Sequence, residues 1–366
     1  MDLQRYITDN TNYLELFREH SLKVRNKGHL SLISYPYDMD VSCTNPDTNW
    51  MRYCRGAIIN THTHKVVCLP PIKGKELLHG EPIDETSSDC EYQPMIDGTM
   101  INMFYDNQTK TWILSTRGNI GAMNKWSDKM SFKNMFDMCH TGIDYESLDN
   151  TCSYSFVMRH TKNRIISPVE YNEIYLVDVY RYSDSTIVRL QVSDYPPSGF
   201  HKPDTCTDVD EFMHIYDRSL PFYIKGFTIK SGGQRYKYLN PNYVYVKRLI
   251  PTSNNPYLNY LELRGNGMLR DYLTYFPEYT KEYNSYRDNI HSFTNELYTL
   301  YKNVHIYNST DKTEIPYHMK PLLYDIHGMY LKERNPITWT IMKQYIHDLP
   351  PKKLLFALHY EFPQKK

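Results

Sequence analysis

Short strand-like segments separated by turn residues follow one another from about residue 29 to residue 240. Several alternate between apolar and polar residues, and others are short buried-type runs rich in Val, Ile, Tyr and Phe, as is typical of β-strands. The segments predicted as strands are His29–Ser34, Gly56–Asn60, Lys65–Leu69, Met100–Tyr105, Thr111–Thr116, Tyr154–Met158, Ile174–Tyr180, Thr186–Val192 and Ile224–Lys230. Because few helical patterns lie between them, the sequence predicts a mainly antiparallel α+β domain and not repeated βαβ units.

Helical patterns are sparse in this part of the chain. Residues 1–20 contain a short one, in which Tyr13, Leu14, Leu16 and Phe17 cluster. Two further helices are expected near Met123–Cys139 and Asp208–Asp217.

The pattern changes after the Pro- and Asn-rich stretch Leu249–Pro256. Residues 257–306 and 318–360 carry apolar residues at i, i+3 and i+4, which indicates helices, and Pro350-Pro351 breaks the last of these regions. The sequence therefore predicts an α+β domain over residues 1–248, followed by an all-helical C-terminal domain over residues 249–366.

The charge balance restricts the class of binding protein. The chain has 42 basic and 42 acidic residues, whereas a general electrostatic binder of nucleic acid is normally basic. Any contact with RNA must therefore come from a local basic patch. The seven cysteines are scattered singly, and none forms a pair with zinc-ligand spacing; they are Cys43, Cys54, Cys68, Cys90, Cys139, Cys152 and Cys206. With no signal-peptide pattern and no stretch near 18 apolar residues, we expect a cytoplasmic protein without a membrane partner.

Five polar segments stand in a fixed order within the predicted α+β domain. The first, Tyr53-Cys54-Arg55-Gly56, is followed by a strand, and the second contains Met95-Ile96-Asp97-Gly98 before another strand. The third is Ser115-Thr116-Arg117-Gly118. The fourth runs from Tyr154 to Ile166 and includes Asn163-Arg164-Ile165, and the fifth is Lys225-Gly226-Phe227 followed by Lys237-Tyr238-Leu239.

In this order the segments resemble the nucleotide-binding motifs of the bacteriophage-type ATP-dependent RNA ligases. The form of the fourth segment in this chain is similar to that of a degenerate branch of ligase-like proteins from large DNA viruses. The resemblance spans roughly residues 50–240 and implies the nucleotidyltransferase fold for the first domain. It implies ATP as ligand and RNA or a nucleotide as partner, bound in a local basic cleft.

The resemblance also assigns roles to individual positions. Met95 stands where the family has the lysine that attacks the α-phosphate of ATP, and Asp97 and Gly98 form the turn that presents it. The residues implied in nucleotide and phosphate binding are Arg55, Arg117, Arg164, Lys225 and Lys237, with Lys230 on the same groove.

Four positions depart from the family's chemistry. A thioether at Met95 has no basic lone pair that could form a phosphoramidate. Val157 and Lys225 stand where the family has carboxylates, and Leu239 replaces a second lysine. Because Mg²⁺ prefers carboxylate and phosphate oxygens, we expect poor Mg²⁺ binding and no protein metal ligands.

Three functions follow from these departures. The leading hypothesis is a catalytically degenerate RNA ligase-like protein that retains nucleotide or RNA binding. The second is an ATP-dependent RNA ligase whose nucleophile was replaced by an engineered mutation at Met95 or has moved to a nearby lysine such as Lys73 or Lys75. The third is a virion or interaction protein with a vestigial cleft, in which the helical domain binds a protein partner and the chain resides in a viral factory or virion.

Overall fold

The computed structural model describes residues 3–36, 39, 41, 48–77, 90–125, 130–140, 142–183, 186–195, 199–205, 219–231 and 233–359. The chain forms two compact units, Met1–Val244 and Tyr245–Lys366, which we call the sheet unit and the helical unit. The helix Pro241–Leu249 contains both this boundary and the boundary expected at residue 248. The predicted helix Asp208–Asp217 and the cysteines Cys43 and Cys206 lie outside the described residues.

Three sheets make up the described part of the sheet unit. Sheet I has the order β1-β2-β3-β4, with β1 Lys23–Lys27, β2 Leu30–Ser34, β3 Arg55–Asn60 and β4 Lys65–Cys68. Sheet II has the order β12-β11-β10-β7-β8-β9, with β7 Thr99–Asp106, β8 Thr111–Thr116, β9 Asn119–Ile120, β10 Cys152–Arg159, β11 Glu173–Tyr182 and β12 Ile187–Leu190. Sheet III has the order β5-β14-β13-β6, with β5 Lys75–Glu76, β6 Glu91–Pro94, β13 Gly226–Ser231 and β14 Gln234–Leu239.

All described strand pairs are antiparallel except β5 with β14. The predicted mainly antiparallel α+β core followed by a helical region is therefore confirmed. Each predicted strand corresponds to an observed one within a few residues. The helix expected near Met123–Cys139 is shorter in the described residues, where α3 spans Phe132–Cys139 and begins at Ser131, whose side chain accepts a hydrogen bond from the Asn134 amide.

Sheet II is covered on both faces. One face packs on α3 through a cluster that includes Phe136, Tyr154 and Phe156. The opposite face receives sheet I through a smaller apolar cluster in which Leu32 and Ile58 surround Phe104. The N-terminal helices α1 Leu3–Asp9 and α2 Tyr13–Glu19 cover the other side of sheet I, where Trp50 is fully buried.

Sheet III turns one face outward to its own apolar cluster and the other toward sheet II. Tyr92, Phe227 and Tyr238 belong to the apolar cluster. Because side chains alternate along a strand and the register pairs Lys230 with both Glu91 and Arg235, these three residues share the opposite face. Lys230 Nζ donates a hydrogen bond to the Val177 carbonyl of sheet II at 2.8 Å. The polar faces of sheets II and III therefore meet.

The helical unit contains the elements after α4, which is Pro241–Leu249. They are α5 Pro256–Gly265, α6 Leu269–Tyr275, α7 Thr280–His305, α8 Lys320–Glu333, α9 Trp339–Asp348 and α10 Pro351–His359. The side chain of Asn255 caps α5 by accepting from the amides of Tyr257 and Leu258, as expected of an N-cap asparagine. The core includes Leu297, Leu323 and Met342, all fully buried. Within the described residues, no helix has both the length and the hydropathy needed to cross a membrane.

Candidate functional site

Met95 lies at the end of the edge strand of sheet III. Its amide donates to the Gly226 carbonyl at 2.8 Å, which extends the pairing of β6 with β13 by one residue. By alternation, Glu91, Gln93 and Met95 share one face of β6, and the register places Thr228 and Lys230 on that same face. The position at which the resemblance expects a nucleophilic lysine is therefore fixed to the polar face of sheet III.

Asp97 is held by four partners. Its Oδ2 atom accepts from the amides of Ile166 and Ser167 at 3.0 and 2.9 Å, and its Oδ1 atom accepts from the Tyr243 hydroxyl at 2.6 Å. Lys225 Nζ lies 3.6 Å from Oδ1. Burial would raise the pKa of Asp97, but Lys225, the Tyr243 hydroxyl and the two amides together lower it, since each stabilises the charged form. The Asp97 carboxylate therefore stabilises the fold through contacts with these four groups.

Gly98 leaves no room for a side chain. A Cβ atom there would overlap the Met158 carbonyl oxygen and lie 2.9 Å from Cγ1 of Val157. The turn that follows Asp97 therefore packs directly on the backbone of β10. The side chain of Val157, which stands where a carboxylate is expected, helps to fill the space next to Gly98.

The fifth segment lies next to the Met95 turn. Gly226 pairs with Leu239 across the β13–β14 hairpin, so Lys225, Met95 and Leu239 belong to adjacent chain segments. The Lys225 ammonium lies 6.0 Å from the centre of the Tyr243 ring, which adds a cation–π contact. Lys237, on the polar face of β14, forms an ion pair of 2.9 Å with Glu76, and both side chains are partly exposed.

Arg55 and Arg117 belong to a second cationic group, around Tyr35. A Cβ atom at Gly56 would lie 2.9 Å from the Cα atom of Arg117, so the first and third segments touch through their backbones. The Arg117 guanidinium donates to the Tyr35 carbonyl at 3.0 Å and lies 5.1 Å from the centre of the Tyr35 ring. Burial raises the pKa of Tyr35, and the charges of Arg55 and Arg117 oppose that shift. Lys73 Nζ is 5.9 Å from the centre of the same ring.

The fourth segment forms hydrogen bonds that hold a loop next to the Asp97-Gly98 turn. Arg164 donates from Nε and a terminal nitrogen to the Ile166 carbonyl at 3.0 and 2.9 Å. Asn163 donates to the Thr99 hydroxyl at 2.7 Å, next to the Asp97-Gly98 turn. These contacts hold the loop whose Ile166 and Ser167 amides bind Asp97.

A buried charge network joins sheets II and III at this site. Arg189 contacts Asp178 at 2.6 Å and Glu91 at 2.7 Å, and Lys230 lies 3.6 Å from Glu91 and 3.8 Å from Asp178. We call these four residues the interface network. Burial lowers the pKa of Lys230 to about 8, although Asp178 and Glu91 act to raise it.

The interface network borders a cavity of about 390 Å³. Tyr53, Tyr180 and Arg235 also line it. Burial lowers the pKa of the Arg235 guanidinium, and the positive charge of Arg55 also acts to lower it. Sequence reasoning found Lys230 but missed Glu91, Asp178, Arg189 and Arg235. No local pattern marks them, because Arg189 and Glu91 are 98 residues apart in the chain.

Two buried side-chain amide groups, one on sheet II and one on sheet III, have a donor nitrogen without a partner in the part of the chain that the structure describes. Gln93 Nε2 and Asn102 Nδ2 have no hydrogen-bond partner among the described residues, and both side chains are almost fully buried. Gln93 lies on the polar face of sheet III. Asn102 pairs with Ser155 on the facing side of sheet II. An unpaired buried donor costs about 1–3 kcal/mol, so each of these amides is a polar group whose burial is not offset by a contact among the described residues.

The described residues fit an anion better than a divalent cation. They contain no group of three or more His, Cys, Asp or Glu side chains arranged to hold a metal ion. Asp97 is already satisfied by four partners, and Lys225 would repel a cation placed beside it. The carboxylates of Glu91 and Asp178 are neutralised by Arg189 and Lys230.

Comparison with known proteins gives only distant structural alignments at low identity. No protein-family model matches the chain, and no curated protein sequence does. A candidate ATP-dependent DNA ligase from Aquifex aeolicus aligns with a TM-score of 0.43 and 11% identity over 95% of this chain and 76% of that chain. An archaeal ATP-dependent RNA ligase aligns with a TM-score of 0.42 and 10% identity over 69% of this chain and 64% of that chain, so less than two thirds of its length is spanned. At this level of identity, activity does not follow from either alignment.

Proposed function

We propose that this chain is a nucleotide-binding protein with the nucleotidyltransferase fold of the RNA ligases and without adenylyl transfer activity. The observation that carries the proposal is the buried contact of Lys225 with Asp97, at 3.6 Å. It puts a cation, held by a carboxylate, where the resemblance expects a metal-binding glutamate. The second, fourth and fifth segments meet around this contact, since the Met95 amide donates to the Gly226 carbonyl and Gly98 packs on Val157.

Loss of adenylyl transfer follows from the side chains at the turn. The attacking group must be a nucleophile with a free lone pair, and the Met95 thioether cannot replace an amine in forming a stable bond to phosphorus. The positions of Val157 and Lys225 also supply no metal-binding oxygen. Positioning and charge stabilisation provide most of the catalysis of phosphoryl-type transfer. Their loss costs several kcal/mol, on the order of 10³-fold in rate or more.

Binding survives these changes because different residues support it. Arg55 and Arg117 stand beside Tyr35 with two guanidinium groups that suit phosphate oxygens. Gln93 and Asn102 offer buried amide donors between sheets II and III, which suit acceptor atoms of a base or sugar. Bound ATP would supply phosphates and a base to these residues, and Mg²⁺ is not needed to hold it.

ATP binding by the full chain tests the proposal. Isothermal titration calorimetry should show ATP binding of similar affinity with Mg²⁺ and with EDTA. The double variant Arg55→Gln, Arg117→Gln should weaken it about tenfold or more, because charge-assisted bonds to phosphate are lost. The matched control is Lys133→Gln with Arg181→Gln, which removes two exposed ion pairs of the same unit and should leave the affinity unchanged.

Covalent labelling separates this proposal from an active ligase. Incubation with ATP labelled at the α-phosphate should give no labelled band after denaturing electrophoresis, and neither should Met95→Lys alone. Adding Val157→Glu and Lys225→Glu should restore a trace at most, because Lys225→Glu sets a second carboxylate against Asp97. Robust labelling of the single revertant would contradict the proposal. Labelling of the natural chain would do so too, and peptide mapping would then test Lys73 and Lys75.

A further inference from the structure

A cavity of about 410 Å³ lies along the outer edge of sheet II. Trp112, Ile113 and Leu114, three consecutive residues of β8, all line it. Because consecutive side chains of a strand point to opposite faces of the sheet, a cavity that touches all three follows the edge of the strand and not one of its faces. We call this cavity the edge groove.

β9 covers only part of the outer edge of β8. It pairs with Ser115 and Thr116, and the Gly121 amide then donates to the Leu114 carbonyl at 2.6 Å. Gly121 and the fully buried Ala122 both have positive φ, at 97° and 51°, and this turn ends the pairing of the chain with β8. The first half of β8 is therefore an edge strand in the described part of the sheet unit.

The same hydrogen bond fixes the direction of the free backbone groups. Backbone groups alternate between the two sides of an antiparallel strand, so Trp112, two residues before Leu114, directs its amide and carbonyl away from β7. Ile113 directs its own groups toward β7, where it is paired with Phe104. No residue that the structure describes forms a hydrogen bond with the outward amide or carbonyl of Trp112. An open donor and acceptor of this kind form a template for a further strand.

The side chains beside this open edge are apolar and partly exposed. Met123 is 56% exposed and Tyr145 is 37% exposed, and both line the edge groove. The ring centres of Trp112 and Tyr145 are 6.5 Å apart. Methionine is flexible and polarizable, and it suits surfaces that accept apolar side chains of different shapes. The edge groove can therefore hold an apolar side chain next to free backbone groups.

The charged residues of the edge groove have both signs and are already paired. Lys133 and Asp137 form an ion pair of 2.7 Å, and Lys27 Nζ donates to the Ile120 carbonyl at 3.1 Å. Among the described residues, these are the only charged side chains that line the groove. Charge therefore does not select the ligand, and the selective features are the strand edge and its apolar lining.

We propose that the edge groove binds an extended peptide segment of another protein, which adds a strand to sheet II beside β8. A carbonyl and an amide of the peptide bond to the amide and carbonyl of Trp112, and an apolar side chain of the peptide lies against Met123 and Tyr145. In this mode of recognition, main-chain bonds supply affinity and pockets for alternate side chains supply specificity. A small apolar molecule would fill the groove and leave the Trp112 backbone unpaired. The proposal does not depend on nucleotide binding.

Selection of a phage-displayed library of random peptides of about 12 residues on the full chain, with counter-selection on the bare support, tests the proposal. The selected peptides should share an apolar residue within a segment that alternates like a strand. In fluorescence anisotropy with a labelled selected peptide, Met123→Glu should weaken binding about tenfold or more, because a charge replaces an apolar contact. The matched control is Met138→Glu on α3, which is 53% exposed and outside the groove and should change the affinity less than about twofold.

Amide hydrogen exchange followed by NMR tests the backbone pairing itself. In the free chain the Trp112 amide should exchange about tenfold or more faster than the Ile113 amide, which faces β7. Binding of the selected peptide should slow the Trp112 amide about tenfold or more and leave the Ile113 amide unchanged. Methylation of single backbone nitrogens in the peptide should weaken binding at every second residue only, because alternate amides of an added strand face β8.

Four results would overturn the proposal. The first is a selection that yields no shared pattern. The second is an equal loss of affinity in Met123→Glu and Met138→Glu with unchanged circular dichroism, which would indicate unspecific apolar attraction. The third is peptide binding that leaves the exchange of the Trp112 amide unchanged, which would indicate a ligand in the groove without strand addition. The fourth is a protected Trp112 amide in the free chain together with a dimer in sedimentation velocity, which would indicate that a second copy occupies this edge.

Discussion

A Cβ atom added at Gly98 in the sheet unit would overlap a backbone carbonyl, whereas one added at Gly328 in the helical unit would meet no atom within 4 Å. Gly56 and Gly226 also face backbone at close range, that of Arg117 and that of Tyr238, and unlike Gly98 both have positive φ. The residues around the candidate site are therefore fixed by contacts between main chains. The helical unit instead relies on side-chain packing, and its glycines have space around them.

Buried charge follows the same division. In the sheet unit Glu91, Asp97, Asp178 and Lys230 are all buried. In the described part of the helical unit, Thr294 is the only buried polar residue apart from tyrosines. Because a buried charge is costly unless it is paired, the sheet unit tolerates these groups only through specific partners. The described part of the helical unit keeps its charges at the surface.

Alanine substitution at matched glycines should produce the largest difference between the units. Gly98→Ala forces β10 and the Asp97 turn apart and should destabilise the chain by about 3 kcal/mol or more. Gly328→Ala, within α8 and with open space around it, should stabilise by about 0.5–1 kcal/mol because alanine favours helix. Urea unfolding followed by circular dichroism measures both. Equal effects of the two substitutions would show that the close approach at Gly98 is not a feature of the folded chain.

Removing the Asp97 charge should have the next largest effect. Asp97→Asn leaves Lys225 without its carboxylate and weakens the Tyr243 bond, so we expect a loss of about 2–4 kcal/mol. The pKa of Asp97 is lowered from 3.8 in the folded chain. Between the lowered value and 3.8, the unfolded chain binds more protons, so the free energy of unfolding falls as pH falls through that window.

Asp97→Asn should lack this part of the acid dependence. Urea unfolding of both proteins between pH 2.5 and 6 provides the measurement, with Asp137→Asn, an exposed carboxylate of α3, as control. If the control lost as much stability as Asp97→Asn, the four contacts of Asp97 would contribute no more to the free energy of unfolding than those of an exposed carboxylate.

The positions of most strands could be predicted from sequence, because they depend on local apolar runs. β2, β3 and β10 are buried along almost their whole length, and such runs are visible without a partner. β1 was missed because Lys23–Lys27 has polar residues on both faces and is exposed at the sheet edge. The short strand Glu91–Pro94 was missed because a charge and a proline conceal its alternation.

The candidate site was less predictable, since its contacts join distant residues. The second, fourth and fifth segments lie next to one another at the Met95 turn, but nothing near Asp97 in sequence pointed to Tyr243, which is 146 positions away. The interface network shares this difficulty, because its four residues come from strands of two different sheets. Helical periodicity located the helices, but it does not determine which exposed residues of different helices lie side by side.

The smallest expected effect is a response of the helical unit to mild acid. His305 at the end of α7 and His327 on α8 stack with ring centres 3.7 Å apart and an angle of 12°. Neither His305 Nε2 nor His327 Nδ1 has a hydrogen-bond partner among the described residues. Burial lowers the pKa of both below 6.5, with Lys312 adding to the shift in each case and His327 adding to that of His305.

The sign follows from the protons that each state binds. Between the lowered values and 6.5, the unfolded chain binds more protons than the folded one, so the free energy of unfolding falls as pH falls through this window and levels off below it. Solvent screening at this partly exposed site limits the change to less than about 1 kcal/mol. The double variant His305→Phe, His327→Phe keeps two stacked rings without a titrating group. Thermal unfolding from pH 7.5 to 4.5 should show a smaller decrease in Tm for this variant than for the natural chain, while NMR of the histidine ring protons reports both pKa values directly. Identical pH profiles would mean that the stacked pair contributes nothing to the acid response of the helical unit. The expected response of this pair lies at a higher pH than that of the sheet unit, where Asp97 responds only below 3.8.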